Sequence, residues 1–353
     1  MSNGLHVMPV FGGFCCGRTA SSMAWRTRGL RMLRCAALAA LAMVVLACSE
    51  VPAPPLLVGI NTRIGYDPLV LARDRGLADP QQVKVVELIS SAEALRHLRN
   101  GLLDAAGLTM GEALRLIDSG FDARIVAVLD TSAGADVVLV APHIRQLGGL
   151  RGARIAVEDA TVGTLMLDRL LDQAGLRREQ VTVLRLDATQ HLTALQSGRV
   201  AAAVSYAPID EPMQREGFRP IFDSRAMPGE IVDVLVVRTE VLRNRPKAVD
   251  ALMASWATGL AALQQDPIGA AAALAPGAGL TPAQYEAVQK GLRFYTPVES
   301  LQLLSGDPPR LAQQGQAVTQ LLMEPGVLKA PPRWADLIDT APARRAPHPR
   351  GRP

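Results

Sequence analysis

From residue 56 onward, short apolar runs alternate with stretches of helical periodicity. "LLVGI" (56–60) predicts a strand, and Tyr66 to Gly76 a helix. "VKVVEL" (83–88) predicts a strand and 91–100 a helix. "LLDAAGL" (102–108) predicts a strand and 109–119 a helix. Strands alternating with helices are the signature of a parallel α/β sheet.

The series then restarts. "ARIAV" (153–157), "VTVLRL" (181–186) and "VAAAVS" (200–205) read as strands, followed by helices at 162–175, 189–197 and 207–216. The first and third strands lie 97 positions after their counterparts (56 to 153, 103 to 200). "LRNGLLDAAGLT" (98–109) and "LQSGRVAAAVSY" (195–206) are one phrase written twice. A repeated β-α unit implies two lobes, each with its own core. Strand-like runs at 123–130, 135–142, 219–223 and 230–238 flank the places where the chain would pass between them. Later helices are expected at 246–266, 282–294 and 310–323, the first opening on Pro246, a residue suited to a first turn.

Composition alters this picture at the two ends. The formal charge of +4 over 353 residues is carried by the termini. Residues 1–47 hold five arginines and no acid, and the last thirteen residues hold four more. Of 37 basic residues, 37 − 5 − 4 = 28 remain in the body against 33 acidic ones, so a nucleic-acid surface is not indicated. "RTRGLRMLRCAALAALAMVVLAC" is a basic segment, an apolar run and small residues before Cys48, the layout of a secretory signal. "VVLAC" is similar to a lipobox, which would make 1–47 a lipoprotein signal peptide and Cys48 the lipidated first residue of the mature chain. Met1, Met23 and Met32 are alternative starts. The apolar run is too short for the roughly 20 residues of a spanning helix. "VPAPP" then completes a tether, 48–55. No cysteine follows Cys48, so the mature chain offers no disulfide, no thiol nucleophile and no CxxC pair for zinc. The Arg/Pro-rich segment 336–353 is expected to be disordered.

In open α/β sheets, ligands sit at the carboxyl ends of the strands, where helix N-termini offer free N–H groups suited to an anion. The duplicated phrase would deliver one strand end and one helix start to each wall of a cleft. "GYDPLVLARDRGL", "AEALRHLRNGLLDAAGLTMGEAL", "GARIAVEDATVGTLML", "LQSGRVAAAVSYAPI" and "FDSRAMPGEIVDVLVVR" resemble the periplasmic substrate-binding proteins of ABC importers. The type is that of the nitrate/sulfonate/taurine binders, including the NMT1/THI5-like binders of thiamine precursors. The resemblance implies a type II periplasmic-binding-protein fold, two α/β lobes with a ligand cleft between them and two hinge crossings. Lobe one would be 56–141 plus 232–335, and lobe two 142–231. It also implies an ABC permease and ATPase as partners and a monomeric binding protein. Arg63-Ile64 stands where the family commonly has Trp-Pro, and the cysteine-rich motif of the precursor-synthesising branch is missing.

Eight residues are candidate ligand contacts. Thr109 opens a helix with Glu112 three residues on, which is also a capping box. Thr161, Gly163 and Thr164 open the corresponding helix of the second unit; the family uses this turn for ligand, and Gly163 allows close backbone approach. Tyr66 and Tyr206 each follow a strand, where an amphipathic ring suits a half-wet cleft and equally suits packing. Arg63 could clamp a sulfonate or carboxylate, although the residues alone favour a solvated loop arginine. Asp233 interrupts the apolar strand "EIVDVLVVR", and a buried carboxylate needs a partner. That partner is either structural, an arginine or backbone N–H groups, or an ammonium of the ligand; the second is narrowly favoured.

His97, His143 and His191 are scattered and read as surface or cap residues, with no metal-site spacing. No GxSxG or phosphate-loop motif appears, and no cofactor is indicated. The expected function is an extracytoplasmic solute-binding lipoprotein that captures a small anionic or zwitterionic organic molecule for an ABC importer. It would reside in the periplasm, anchored to a membrane through Cys48. The alternatives are a ligand-sensing module for a signalling partner and an enzyme of thiamine-precursor metabolism. A fatty-acid probe fed to cells is expected to label the protein, and Cys48→Ser to abolish the label; labelling that survives the substitution refutes the anchor.

Overall fold

The computed structural model describes residues 53–158, 161–324 and 326–347. The signal segment and Cys48 lie outside the described residues. The chain divides into Met1–Ala53 and Pro54–Pro353, and the architecture below is that of the second unit.

Its strands are β1 (Leu56–Ile60), β2 (Val83–Glu87), β3 (Ala105–Thr109), β4 (Ala123–Ser132), β5 (Asp136–Val140), β6 (Arg154–Val157), β7 (Thr182–Arg185), β8 (Ala202–Tyr206), β9 (Arg219–Asp223), β10 (Val232–Arg238) and β11 (Leu292–Phe294). They form a six-stranded sheet, β11-β4-β10-β3-β1-β2, and a five-stranded sheet, β7-β6-β8-β5-β9. Both contain the same parallel triplet. Val58 pairs with Ala105 and Gly59 with Ala106 in the first, and Ile155 pairs with Ala202 and Ala156 with Ala203 in the second. Each of these residues lies 97 positions after its counterpart, so the repeat is structural down to its register.

The two units exchange strands. β5 follows the first unit in sequence but pairs antiparallel with β8 in the second sheet, and β10 follows the second unit but pairs antiparallel with β3 in the first. The first crossing therefore lies between Ser132 and Asp136, and not at 141–142 as the sequence suggested. A strand of Val and Leu carries no mark of which sheet it will join. The return crossing runs between β9 and β10. Ser224, fully buried, ties the two crossings together: its Oγ lies 2.7 Å from Ser132 Oγ and accepts from Gly134 N at 2.7 Å.

The larger lobe packs the helices Asp67–Asp74 and Pro246–Gln265 and a set of C-terminal helices on the first sheet. Trp256 is buried at the centre of the long helix. The second sheet is covered on both faces, by Leu165, Met166 and Leu170 of the helix Thr161–Ala174 on one and by Ala194, Leu195 and Met213 on the other.

Three expectations change in detail. The helix expected at 207–216 is Glu211–Arg215, preceded by a turn over 207–210. The helix expected at 282–294 ends at Gln289; Gly291 then gives its carbonyl to Ala133 N and Ala135 N, and Leu292–Phe294 becomes a strand beside β4. His191 is buried rather than on the surface.

The segment 336–347 is folded, contrary to the expectation of disorder. Ile338 bridges Ile125, Ala343 is fully buried, and Arg345 Nε lies 2.8 Å from Asp250 Oδ1. Small Ala and Pro side chains seat it closely, which a composition argument does not register. Residues 348–353 lie outside the described residues.

The helix Asp67–Asp74 begins four residues after Arg63 and lies against the helix Pro246–Gln265 at Gly259, where a Cβ would collide with the Pro68 carbonyl. Backbone cannot yield as a flexible side chain does. Gly259→Ala is expected to cost about 1–3 kcal/mol, read as a lower urea midpoint at unchanged slope.

Candidate functional site

The repeat places matching residues at matching strand ends. β3 ends at Thr109, paired with Asp233; β8 ends at Tyr206, paired with Asp136. Thr109 and Tyr206 are 97 residues apart, and so are Asp136 and Asp233. The duplicated fold thus delivers an aspartate from each crossing strand to the gap between the sheets.

Arg63 stands between them. It follows β1, and its backbone N–H donates to Asn61 Oδ1 at 3.1 Å, while Asn61 Nδ2 donates to Ser91 Oγ at 2.6 Å. Its Nη2 reaches across to Asp136 Oδ1 at 3.0 Å, and its guanidinium carbon lies 4.3 Å from the centre of the Tyr206 ring. Arg63 belongs to the first lobe, and Asp136 and Tyr206 to the second, so one side chain joins the lobes by an ion pair and a cation–π contact. The helix starts also meet: at Gly111 a Cβ would collide with the Thr161 side chain. A cavity of about 20 Å³ remains, room for about one water.

Charge in this space is unbalanced. Among the described residues lining the cavity, Arg63 is the one cation, facing the carboxyl groups of Glu112, Asp136 and Glu158. Behind Arg63, Asp130 of β4 sits opposite Asp233 of β10. Burial, reinforced by the Asp136 and Glu112 charges, pushes the Asp233 pKa up to about 7 against the pull of Arg63. Burial and the neighbouring Asp233 raise Asp130 well above the usual carboxylate range. Burial likewise raises Glu158. Burial alone would lower the Arg63 pKa, but Asp136 and Asp233 outweigh it and keep the guanidinium firmly protonated. Burial and the Asp233 charge push the Tyr66 hydroxyl up.

Several buried polar atoms here make no hydrogen bond within the protein: Asp130 Oδ2, Asp136 Oδ2, Thr161 Oγ1 and Ser205 Oγ. Buried polar groups are ordinarily paired, and their concentration at one gap marks it as the place built for something else.

The structure brings most of the sequence candidates to this gap. Arg63, Thr109, Gly163 and Tyr206 line the cavity. Thr109 also forms the expected capping box, accepting from Glu112 N at 3.3 Å while Glu112 Oε2 accepts from Thr109 N at 2.9 Å. Thr161 touches the opposite lobe at Gly111. Tyr66 and Asp233 are buried, 1% and 3% exposed, within electrostatic reach of Arg63 and outside the cavity lining. Thr164 accepts from Arg185 Nη1 at 3.2 Å and does not line the cavity. The solvated reading of Arg63 is corrected: the side chain is 8% exposed and ion-paired.

Sequence reasoning missed Asp130, Asp136 and Ser205. Asp136 was within reach, because "DVVLV" (136–140) and "DVLVV" (233–237) repeat at the same 97-residue spacing.

Two α/β lobes, two crossings and a cleft at the strand ends define a periplasmic-binding-protein fold. Solved structures match it over most of their length. The alkanesulfonate-binding protein SsuA of Xanthomonas axonopodis pv. citri, bound to MOPS, has a TM-score of 0.69 at 20% identity, covering 83% of this chain and all of that one. The aliphatic sulphonate-binding protein SsuA of Escherichia coli has a TM-score of 0.68 at 19% identity, covering 82% and 92%. The desulfurization enzyme DSZB shares the fold with a TM-score of 0.64 at 15% identity, covering 83% and 98%. The chain belongs to the NMT1-like family, whose model matches residues 49–275. A candidate binding protein of Brucella abortus is 24% identical over 227 residues, 59% of this chain and 69% of the relative.

The raised Asp233 pKa means that the folded state holds this proton more tightly than the unfolded chain. The associated stability is present at acid pH and is lost as pH rises from about 4 to about 7. Asp233→Asn removes the ionisation and keeps the shape. The ligand-free variant is expected to melt several degrees above the wild type near pH 8, with the difference shrinking towards pH 5, by calorimetry. A variant that melts lower at pH 8 would make Asp233 a structural hinge residue.

Proposed function

We propose that the protein is an extracytoplasmic solute-binding lipoprotein that captures a small polar organic molecule between its lobes and delivers it to an ABC permease and ATPase complex. Arg63 carries this reading: it belongs to one lobe, bonds the other, and borders a cavity in which buried polar groups are left unbonded. Separation of the lobes would expose those groups to a solute, and closure would surround it, a hinge motion known for such folds. Membership of the NMT1-like family supports the same reading. Lipidated Cys48 would hold the protein at the membrane, and the monomer would be the working form.

The fold also hosts an enzyme, DSZB, so catalysis is decided by the site and not by the architecture. The site residues of this chain are suited to holding a solute: they offer carboxyl groups, hydroxyls and a guanidinium, and no cysteine follows Cys48.

Melting the purified protein against a library of small amines, amino acids, carboxylates, sulfonates and pyrimidines is expected to reveal one class that stabilises it saturably by several degrees. Mass spectrometry should recover that compound unchanged. Conversion of the bound compound, or a library with no binder, would refute solute capture for transport.

A further inference from the structure

The anion expectation rested on two helix starts facing the cleft. The first of these is occupied by the chain itself. Glu112 bends back to accept from Thr109 N, and Thr109 Oγ1 accepts from Glu112 N, so a carboxylate already sits at the N-terminus of the helix Met110–Asp118. An incoming sulfonate or carboxylate would meet Glu112, Asp136 and Glu158 around the cavity, with Asp130 and Asp233 behind. The guanidinium it would need is bonded to Asp136.

The unbonded atoms state a complementary demand. Asp136 Oδ2 and Ser205 Oγ belong to residues 1% and 2% exposed, both lining the cavity and neither oxygen bonded within the protein. Asp136 pairs with Tyr206 and Ser205 with Val137, so the two side chains leave opposite faces of the second sheet, at the edge that borders the cavity. A carboxylate oxygen only accepts, and a hydroxyl accepts as readily as it donates. The unbonded Asp136 carboxylate oxygen is completed by a ligand that brings N–H donors and positive charge.

We propose that the cleft binds a small organic cation bearing N–H donors, an ammonium, amidinium or guanidinium group, seated on Asp136. This rests on the solute-capture reading and gives it a chemical class. Asp233 and Asp130 serve as a reserve of negative charge behind the seat. Asp233 is faced by Arg63 after β1, Tyr66 in the turn Ile64–Tyr66, Asp130 on β4, Asp136 on β5 and Glu112 on the helix Met110–Asp118. Arg63 is the one cation in that set, so a second cation lowers the cost of ionising Asp233. As the cation enters, the Asp233 carboxyl releases its proton to solvent and becomes carboxylate. Binding therefore strengthens as pH rises through neutrality.

The test is calorimetric titration of the full chain with putrescine, agmatine, γ-aminobutyrate, 1,4-butanediol and butanesulfonate at about pH 6 and about pH 8. The amine and guanidinium groups stay protonated over this range, so a change in affinity reports the protein. At least one of the three nitrogen compounds is expected to bind at least about tenfold tighter than the diol and the sulfonate. It should tighten severalfold from the lower to the higher pH, with proton release visible as a dependence on the ionisation heat of the buffer. Asp136→Asn should weaken it about tenfold or more and Glu158→Gln, at a carboxyl group bordering the same cavity, severalfold, the second variant serving if the first does not fold. Tighter binding of butanesulfonate, no binding by any of the three nitrogen compounds, or amine binding indifferent to both substitutions overturns the proposal. The compound library separates the two readings: a binder without an N–H cation there leaves solute capture standing and removes only the cation.

Discussion

The ion pair between Arg63 and Asp136 is the contact on which the closed arrangement turns. It is 3.0 Å long, nearly dehydrated and drawn between residues of different lobes. A pair taken out of water recovers its desolvation only when geometry and secondary contacts are good. Here the second contact is the Tyr206 ring under the guanidinium, and the loop is held by Asn61. Removing the guanidinium would leave Asp130, Asp136 and Asp233 confined together with no cation among them. The surplus of carboxyl groups is thus tolerated on two conditions, that Arg63 stays in place and that part of the surplus stays protonated. Both conditions lapse when the lobes part, and a polar cleft that is stable shut becomes receptive open.

Much of this was legible in the sequence. The alternating pattern gave both β-α-β-α series, and their spacing carried over to the pairing of Val58 with Ala105 and of Ile155 with Ala202. Capping chemistry at Thr109 was readable because a cap is local: two side chains and two N–H groups within four residues. Arg63 was misjudged because its partners lie 73 and 143 positions away in sequence (63 to 136, 63 to 206), and no local pattern announces a distant carboxylate. Ser205 was hidden for a different reason. A serine at the end of an apolar strand is commonplace, and only the missing partner singles it out.

The fold is shared with binders and with an enzyme at identities too low to carry chemistry across. What separates such proteins is the set of groups at the strand ends. Among the described residues lining the cavity those groups are acidic and hydroxylic, with Arg63 as the one cation, and the repeat sets their positions: the same place in each unit supplies Asp136 on one side and Asp233 on the other. One copy meets Arg63 directly, and the other stands behind it. An internally symmetric frame has therefore acquired an asymmetric site through a single arginine.

The exchange of β5 and β10 has a consequence for how the chain reaches this state. Each sheet is finished by a strand synthesised with the other unit, and β10 lies between β3 and β4, which precede it by about a hundred residues or more. The first sheet thus remains split down its middle until the second unit has been made. Late, distant pairings slow folding and lengthen the time for which open strand edges are exposed. The duplicated units resemble two independent modules in sequence, yet neither is autonomous as a length of polypeptide: what was inherited as a pair of copies has become one cooperative molecule.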